Sequence, residues 1–222
     1  MPKKNIVIFD FCGTLISFQT ADRYVDYCRK HLCYKSINRR YYILRLLERL
    51  RIFKIANKIW KRNNLHKKIV LYQLKGVSKT DCERMAQDYF REELLPNVID
   101  VILQRLYEHK QQGDEIWILS GGYDIYIKYF AEYFGISRWK TSSIQFENGR
   151  CTGHISGEDC MSKAKVTYFR KICNAQENTT IFYSDSISDL PLLRTVHYGI
   201  VVSHKEHQTW AKQNNLKEII WN

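Results

Sequence analysis

The chain has 222 residues, 45% hydrophobic and 26% charged, with only 3 Pro and 10 Gly; this excludes a predominantly disordered or collagen-like chain and suits a domain with a sizeable core. The net charge of +12 is concentrated in one stretch: residues 15–95 hold 19 Lys/Arg against 8 Asp/Glu, and the rest of the chain holds 16 against 15. No apolar run approaches the ~20 residues of a membrane-spanning helix, Ile6–Phe9 is too short for a signal peptide, and the seven dispersed cysteines suit reduced thiols, so a cytoplasmic location is expected.

The first predicted strand is Asn5–Asp10. Residues 16–95 then read as helix throughout. Ile43, Leu46, Leu47 and Leu50 fall at i, i+3, i+4 and i+7 and predict one apolar face. Ser78 with Asp81 resembles a capping box opening a helix through Phe90, and Pro96 closes the segment. Val98, Val101, Ile102 and Leu106 predict a helix ending at Gly113. A strand follows at Glu115–Leu119, then a helix over Ile125–Phe134 ending at Gly135. Ile144–Phe146 and Cys151–Ile155 flank Asn148-Gly149, a strong hairpin signal. Val166, Phe169 and Ile172 have helical spacing, and strands follow at Thr180–Tyr183, Tyr198–Val202 and Glu218–Trp221. Short apolar strands alternating with helices predict a doubly wound, Rossmann-like α/β core with a parallel sheet. The expected division is a core of residues 1–15 and 96–222 with a helical insertion at 16–95. Cys28, Cys33, Cys82 and Cys173 are expected to be small buried residues, and Cys151, His154 and Cys160 fit no standard zinc spacing.

Ligands of open parallel sheets lie beyond the carboxyl ends of the strands. Three such ends carry polar residues: Asp10, followed by Cys12, Gly13 and Thr14; Ser120, followed by Gly121 and Gly122; and Ser184 with Asp185, followed by Asp189. Lys165 opens the helix before the third of these strands. It is preferred to Lys163 because Tyr168, Phe169 and Ile172 follow it at +3, +4 and +7. Together they form a kit for phosphoryl transfer. A carboxylate attacks phosphorus, hydroxyl and amide groups hold phosphate oxygens, and a lysine with a hard cation balances charge.

The stretches Asp10-Phe11-Cys12-Gly13-Thr14-Leu15, Ile118-Leu119-Ser120-Gly121-Gly122, Lys165, and Tyr183-Ser184-Asp185-Ser186-Ile187-Ser188-Asp189-Leu190-Pro191 resemble, in this order, the motifs of the haloacid dehalogenase (HAD) superfamily. The Ser-Gly-Gly form, the Asn-Gly hairpin and the insertion after the first motif look like the phosphoserine-phosphatase-like branch, subfamily IB, with a helical C1 cap. The resemblance implies a magnesium-dependent phosphomonoester hydrolase working through an aspartyl-phosphate on Asp10. It implies Mg2+ held by Asp10, the backbone carbonyl of Cys12 and Asp185, and phosphate held by Ser120, Gly121, Gly122 and Lys165. Thr14 would stabilise the first loop, and Asp189 would support the metal through water or hold Lys165. The Asp-Ser-Ile-Ser-Asp-Leu-Pro stretch also looks like phosphatases acting on lipid head groups, so a phosphorylated small molecule or a lipid head group is the implied substrate.

One position departs from the pattern. The family's phosphatases usually carry a second Asp at position 12, which protonates the leaving group and then activates water; here it is Cys12. A thiol, with a reference pKa of about 8.5, is a poor proton donor and base near neutrality, and losing general acid–base help costs about 10²–10⁴-fold in rate. His31, His66 or a carboxylate of the insertion are candidate substitutes. The alternative function is a catalytically weakened member that binds phosphorylated ligands or acidic membrane surfaces; a dehalogenase is disfavoured by Ser120, Asp185 and Asp189.

From Arg23 to Lys79 there are 17 Lys/Arg against 2 acids, with Tyr41, Tyr42, Phe53 and Trp60 interleaved. A solvated basic face, guidance of an anionic substrate and peripheral contact with acidic membrane are the open readings. No recognised nucleic-acid motif accompanies the charge, and no nucleic-acid partner is expected.

Overall fold

The computed structural model describes residues 4–34, 39, 40, 42, 43, 46, 65–173 and 178–222. Seven strands form one sheet in the order β4-β3-β2-β1-β5-β6-β7. They are β1 Ile6–Phe9, β2 Glu115–Tyr123, β3 Arg138–Glu147, β4 Arg150–Ser156, β5 Thr180–Ser184, β6 Tyr198–His204 and β7 Lys217–Trp221. All neighbours are parallel except β3 and β4. No described helix is long and apolar enough to cross a membrane.

β1 is the central strand, and its four side chains are all buried. Val7 and Phe9 point into one apolar layer, Ile6 and Ile8 into the other, as the two-residue period of a strand requires. Each such burial contributes about 1.5–3 kcal/mol. The register sets the site. Phe9 pairs with Ile118 on one side and Tyr183 on the other, so Asp10, Ser120 and Ser184-Asp185 leave the sheet along the same edge.

Helices cover both faces. α1 (Thr20–His31), α2 (Leu65–Tyr72) and α3 (Lys79–Tyr89) lie between β1 and β2 in the chain. α4 (Asp100–Gln111), α5 (Asp124–Tyr133), α6 (Lys163–Ile172), α7 (Leu190–Leu193) and α8 (Thr209–Gln213) complete the set of described α-helices. Tyr24, Val25 and Cys28 form the buried face of α1. The Tyr24 hydroxyl donates to the Cys82 carbonyl at 2.7 Å, and that of Tyr89 donates to the Thr20 carbonyl at 3.0 Å. Buried hydroxyls with partners fix helix orientation as well as adding apolar area.

Ser78 caps α3, accepting from the Asp81 amide at 3.0 Å and donating to Asp81 Oδ2 at 2.8 Å. The reciprocal bond is thus between side chains. The helix expected through Phe90 ends at Tyr89 and loosens into a π turn, Phe90–Leu94, and a 3-10 turn, Leu95–Asn97, holding Pro96. Pro96 lacks the N–H that would continue the ladder. The hairpin turn has Asn148 at φ 47° and Gly149 at φ 70°, the paired positive values of a tight two-residue turn. Main chain from the insertion closes the outer edge of β4. Gly76 N–H donates to the Cys151 carbonyl, Cys151 N–H to Val77, and Lys79 N–H to Gly149, each at 2.8 Å.

Three expectations change. β2 does not stop at Leu119 but runs through Ser120-Gly121-Gly122 with a register shift before Tyr123. Cys33 is exposed, whereas Cys28, Cys82 and Cys173 are buried, because Cys33 lies beyond the end of α1 at Leu32. Ile43 and Leu46 are 51% and 58% exposed, so these two residues of the expected apolar face stand in solvent. Leu47, Leu50, Phe53 and Trp60, and Tyr41 with them, lie outside the described residues.

Candidate active site

Asp10 follows β1 and is buried. Its amide donates to the Tyr183 carbonyl at 2.9 Å, extending the β1–β5 ladder by one bond and fixing where the side chain leaves the sheet. Oδ1 accepts from the Phe11 amide at 2.7 Å and lies 3.0 Å from Lys165 Nζ. Lys165, in the first turn of α6, is 3% exposed and also meets Asp189 Oδ2 at 2.6 Å. Asp189 Oδ2 accepts from the Ser184 hydroxyl as well, at 2.8 Å. Burial works to lower the Lys165 ammonium, but Asp10 and Asp189 more than reverse this and hold it above the usual lysine range. Lys163, the competing residue, is exposed.

The loop after β1 turns tightly: Leu15 and Ile16 amides donate to the Phe11 carbonyl at 3.0 and 2.9 Å. Gly13 has φ +73°, and a Cβ there would lie 2.2 Å from Asp185 Oδ2. Only glycine lets the loop approach that carboxylate. Thr14 is buried behind it, bonded to Asp185. Burial, and then the neighbouring Asp10 charge, push the Asp185 carboxyl up to about 7.

Cys12 Sγ lies 3.0 Å from Thr20 Oγ1, which lies 2.7 Å from the Tyr126 hydroxyl. That hydroxyl accepts from the Tyr123 amide at 2.9 Å. This chain of contacts ties the first loop to the N-terminus of α1 and to the end of β2. Burial and Asp10 push the Cys12 thiol up to about 11, with Thr20 opposing.

Ser120 is buried, and its hydroxyl accepts from the Gly122 amide at 3.2 Å. A Cβ on Gly121 would lie 2.6 Å from Met161 Cγ, and one on Gly122 2.8 Å from Ile127 Cδ1. The glycines therefore serve close packing of a bulged strand rather than an ordinary turn.

A cavity of about 380 Å³ opens at this edge of the sheet. Asp10, Cys12, Ser120, Gly121, Lys165, Asp185 and Asp189 all line it. Thr14 and Gly122 do not: Thr14 sits behind Asp185, and Gly122 faces Tyr126 and Ile127. Ser186 and Ser188 add hydroxyls to the wall.

Gln19, Asp22, His66 and Lys67, all from the inserted helical stretch, were not singled out by motif spacing, although His66 was among the candidate proton carriers. Lys67 Nζ donates to the Gly121 carbonyl at 2.5 Å, Ser142 Oγ at 3.1 Å and Asp159 Oδ1 at 2.6 Å. His66 Nδ1 lies 3.4 Å from Asp22 Oδ2. His31, the other candidate histidine, stacks on Tyr27 with centroids 4.3 Å apart and is not part of the cavity wall.

Residues 7–194 match the family model of haloacid dehalogenase-like hydrolases. A histidinol-phosphatase from Neisseria meningitidis serogroup C is 27% identical over 143 residues, 61% of this chain and 64% of the relative. A phosphoserine phosphatase from Methanocaldococcus jannaschii is 21% identical over 98% of this chain and 97% of its own. A protein of unknown function from Bordetella pertussis Tohama I has the same fold, with a TM-score of 0.78 at 18% identity and 98% coverage of both chains. With its mostly parallel sheet and a family model matched over most of its length, the chain belongs to the haloacid dehalogenase-like hydrolase family.

Proposed function

We propose that this protein is a magnesium-dependent phosphomonoester hydrolase acting through an aspartyl-phosphate on Asp10. The observation that carries the reading is the buried Lys165 held between Asp10 and Asp189 at the floor of a cavity that Ser120 and Asp185 also line. Both curated relatives are named as phosphatases.

Asp10 Oδ1 is engaged by the Phe11 amide and Lys165, so Oδ2 is the oxygen that attacks phosphorus. Lys165 pairs with Asp10 and balances the incoming phosphate charge, while Asp189 fixes the ammonium. Ser120 and the amides beside it hold phosphate oxygens. Asp10, Asp185, the Cys12 carbonyl and water would hold the cation, an all-oxygen donor set of the kind magnesium takes, with Asp10, Cys12 and Asp185 all on the cavity wall. Asp185, pushed up beside Asp10, is the carboxylate such a cation relieves. When bound, magnesium supplies charge stabilisation for the transferring phosphoryl group. α1 and α2 would act as a cap, since Asp22, His66 and Lys67 stand on the cavity wall.

The substrate is a small phosphorylated molecule. A cavity of about 380 Å³ falls in the range of about 300–1,000 Å³ typical of small-ligand sites. The test is a panel of phosphomonoesters with p-nitrophenyl phosphate, assayed with and without magnesium, on the native chain, Asp10→Asn and Cys12→Asp. Metal-dependent turnover abolished by Asp10→Asn is expected. Absence of turnover with every substrate, in the native chain and in Cys12→Asp, would sink the reading.

A further inference from the structure

Lys67, on an inserted helix, reaches across to the strand end that carries Ser120. We propose that it is a positioning residue for phosphate: acting through the peptide between Gly121 and Gly122, it sets the direction in which the Ser120 hydroxyl donates. The inference rests on the hydrolase reading above, in which Ser120 holds a phosphate oxygen.

The relay is one peptide unit long. Lys67 Nζ donates to the Gly121 carbonyl at 2.5 Å. The N–H of that same peptide, on Gly122, donates to Ser120 Oγ at 3.2 Å. A peptide is planar, so a bond that fixes its carbonyl also fixes its N–H. Bonds in such a chain polarise one another, and a cation at the carbonyl end makes the N–H a stronger donor. A serine hydroxyl has one proton and two lone pairs. The Gly122 amide occupies a lone pair, which turns the hydroxyl proton away from the backbone. Ser120 is buried and lines the cavity, so an anionic oxygen bound there is the acceptor this proton suits.

The ammonium is anchored for this task. Its other two protons go to Ser142 Oγ at 3.1 Å and Asp159 Oδ1 at 2.6 Å. Ser142 is buried on β3, donates to Asp159 Oδ1 at 2.6 Å and accepts from the Cys160 amide at 3.1 Å. Lys67 thus gathers the end of β2, β3 and the stretch leading into α6, the helix that carries Lys165.

Two other readings compete. Lys67 lines the cavity and could meet the substrate as a free cation, but its three protons are already placed and Asp159 balances its charge. It could also be a plain clasp between the inserted helices and the core. A clasp predicts a loss of stability and no special link to Ser120, whereas a relay predicts that the two residues act as one unit.

The experiment is a double-mutant cycle read on the affinity for inorganic phosphate, measured by calorimetry with magnesium present. Ser120→Ala should weaken phosphate about 10–100-fold and Lys67→Met about 10-fold, the range for bonds to charged groups. Lys67→Met on the Ser120→Ala background should change the affinity less than about twofold, because the hydroxyl it directs is gone. Lys67→Arg, which keeps a charged donor, should stay near the native affinity. Circular dichroism checks each fold; where Lys67→Met fails to fold, Lys67→Gln takes its place in the cycle and is judged by the same outcomes. Native phosphate affinity in the Lys67 variant, independent losses in the double variant, or a native chain that turns over p-nitrophenyl phosphate without binding phosphate would overturn the relay and leave the hydrolase reading standing. A native chain that neither binds phosphate nor turns over would remove the hydrolase reading, and the relay with it.

Discussion

Thr14 and Asp185 exchange two hydrogen bonds across 171 positions of sequence: the Thr14 hydroxyl donates to Asp185 Oδ1 at 3.2 Å and accepts from the Asp185 amide at 3.0 Å. The pair fixes both the backbone and the carboxylate of the residue proposed to hold metal. Thr14→Val keeps the shape and removes both bonds. Apparent magnesium affinity should fall about 10–100-fold, the usual cost of losing a partner behind a metal ligand. Titrating magnesium against the melting temperature measures it; an unchanged affinity would detach Thr14 from the metal.

The lifted Asp185 carboxyl makes metal response pH-dependent. Burial and then Asp10 raise it from an ordinary aspartate's 3.8 to about 7, so the native state binds more protons than the unfolded state between those values. Stability from this group is therefore present below about 4 and is lost as pH rises through 7. Magnesium needs the ionised form and reverses that loss. The magnesium-induced rise in melting temperature should be small at pH 5.5 and large at pH 8. Equal rises at both would show that Asp185 is not the coupled ligand.

Gly13→Ala places a methyl group into Asp185 at a φ of +73°. Both effects act in the same direction, and backbone strain of this kind alone costs about 1–3 kcal/mol. Urea unfolding should show a loss of at least that size together with weakened magnesium response. A variant of native stability would mean that the loop moves aside freely.

Lys67 and Asp159 form a largely buried pair, with side chains 12% and 17% exposed. Lys67→Met takes the ammonium away from Asp159, which keeps the Ser142 hydroxyl, and from the Gly121 carbonyl. A loss of about 1–3 kcal/mol is expected, the range for removing a charge-assisted hydrogen-bonding group from a largely buried site. Asp159→Asn alone should also destabilise, and the double variant should be more stable than the sum of the two losses predicts. Strict additivity in a denaturant-melt cycle would contradict a direct pair.

The central elements were legible because their cues are local. Ile6–Phe9 is continuously apolar and stops at Asp10, and Thr180–Tyr183 stops before Ser184 and Asp185, so strand ends and reactive groups are read together. Helical spacing after Lys165 separates it from Lys163. The Asn148-Gly149 hairpin is written in the turn residues themselves. Other parts depend on partners distant in sequence. Lys67 stands beside Lys68 in a basic run, a pattern that reads as a solvated face, yet Asp159, 92 positions away, draws it inward. His66 and Asp22 meet only because α1 and α2 fold side by side. The extension of β2 through two glycines was hidden because Ser-Gly-Gly suits a turn equally well, and what decides is Met161 and Ile127 packed against the backbone.

The antiparallel end of the sheet has a consequence for life at high protein concentration. An open β4 would offer its amides and carbonyls to the same strand of another copy, the usual start of fibrillar assembly. Gly76, Val77 and Lys79 already occupy that row at Gly149 and Cys151, and the end of α2 crosses Gly153 so closely that a Cβ there would lie 2.9 Å from Tyr72 Cα. Stickiness between copies is therefore directed to the opposite border, β7, where the exposed Lys217 supplies a charge that discourages a neighbour.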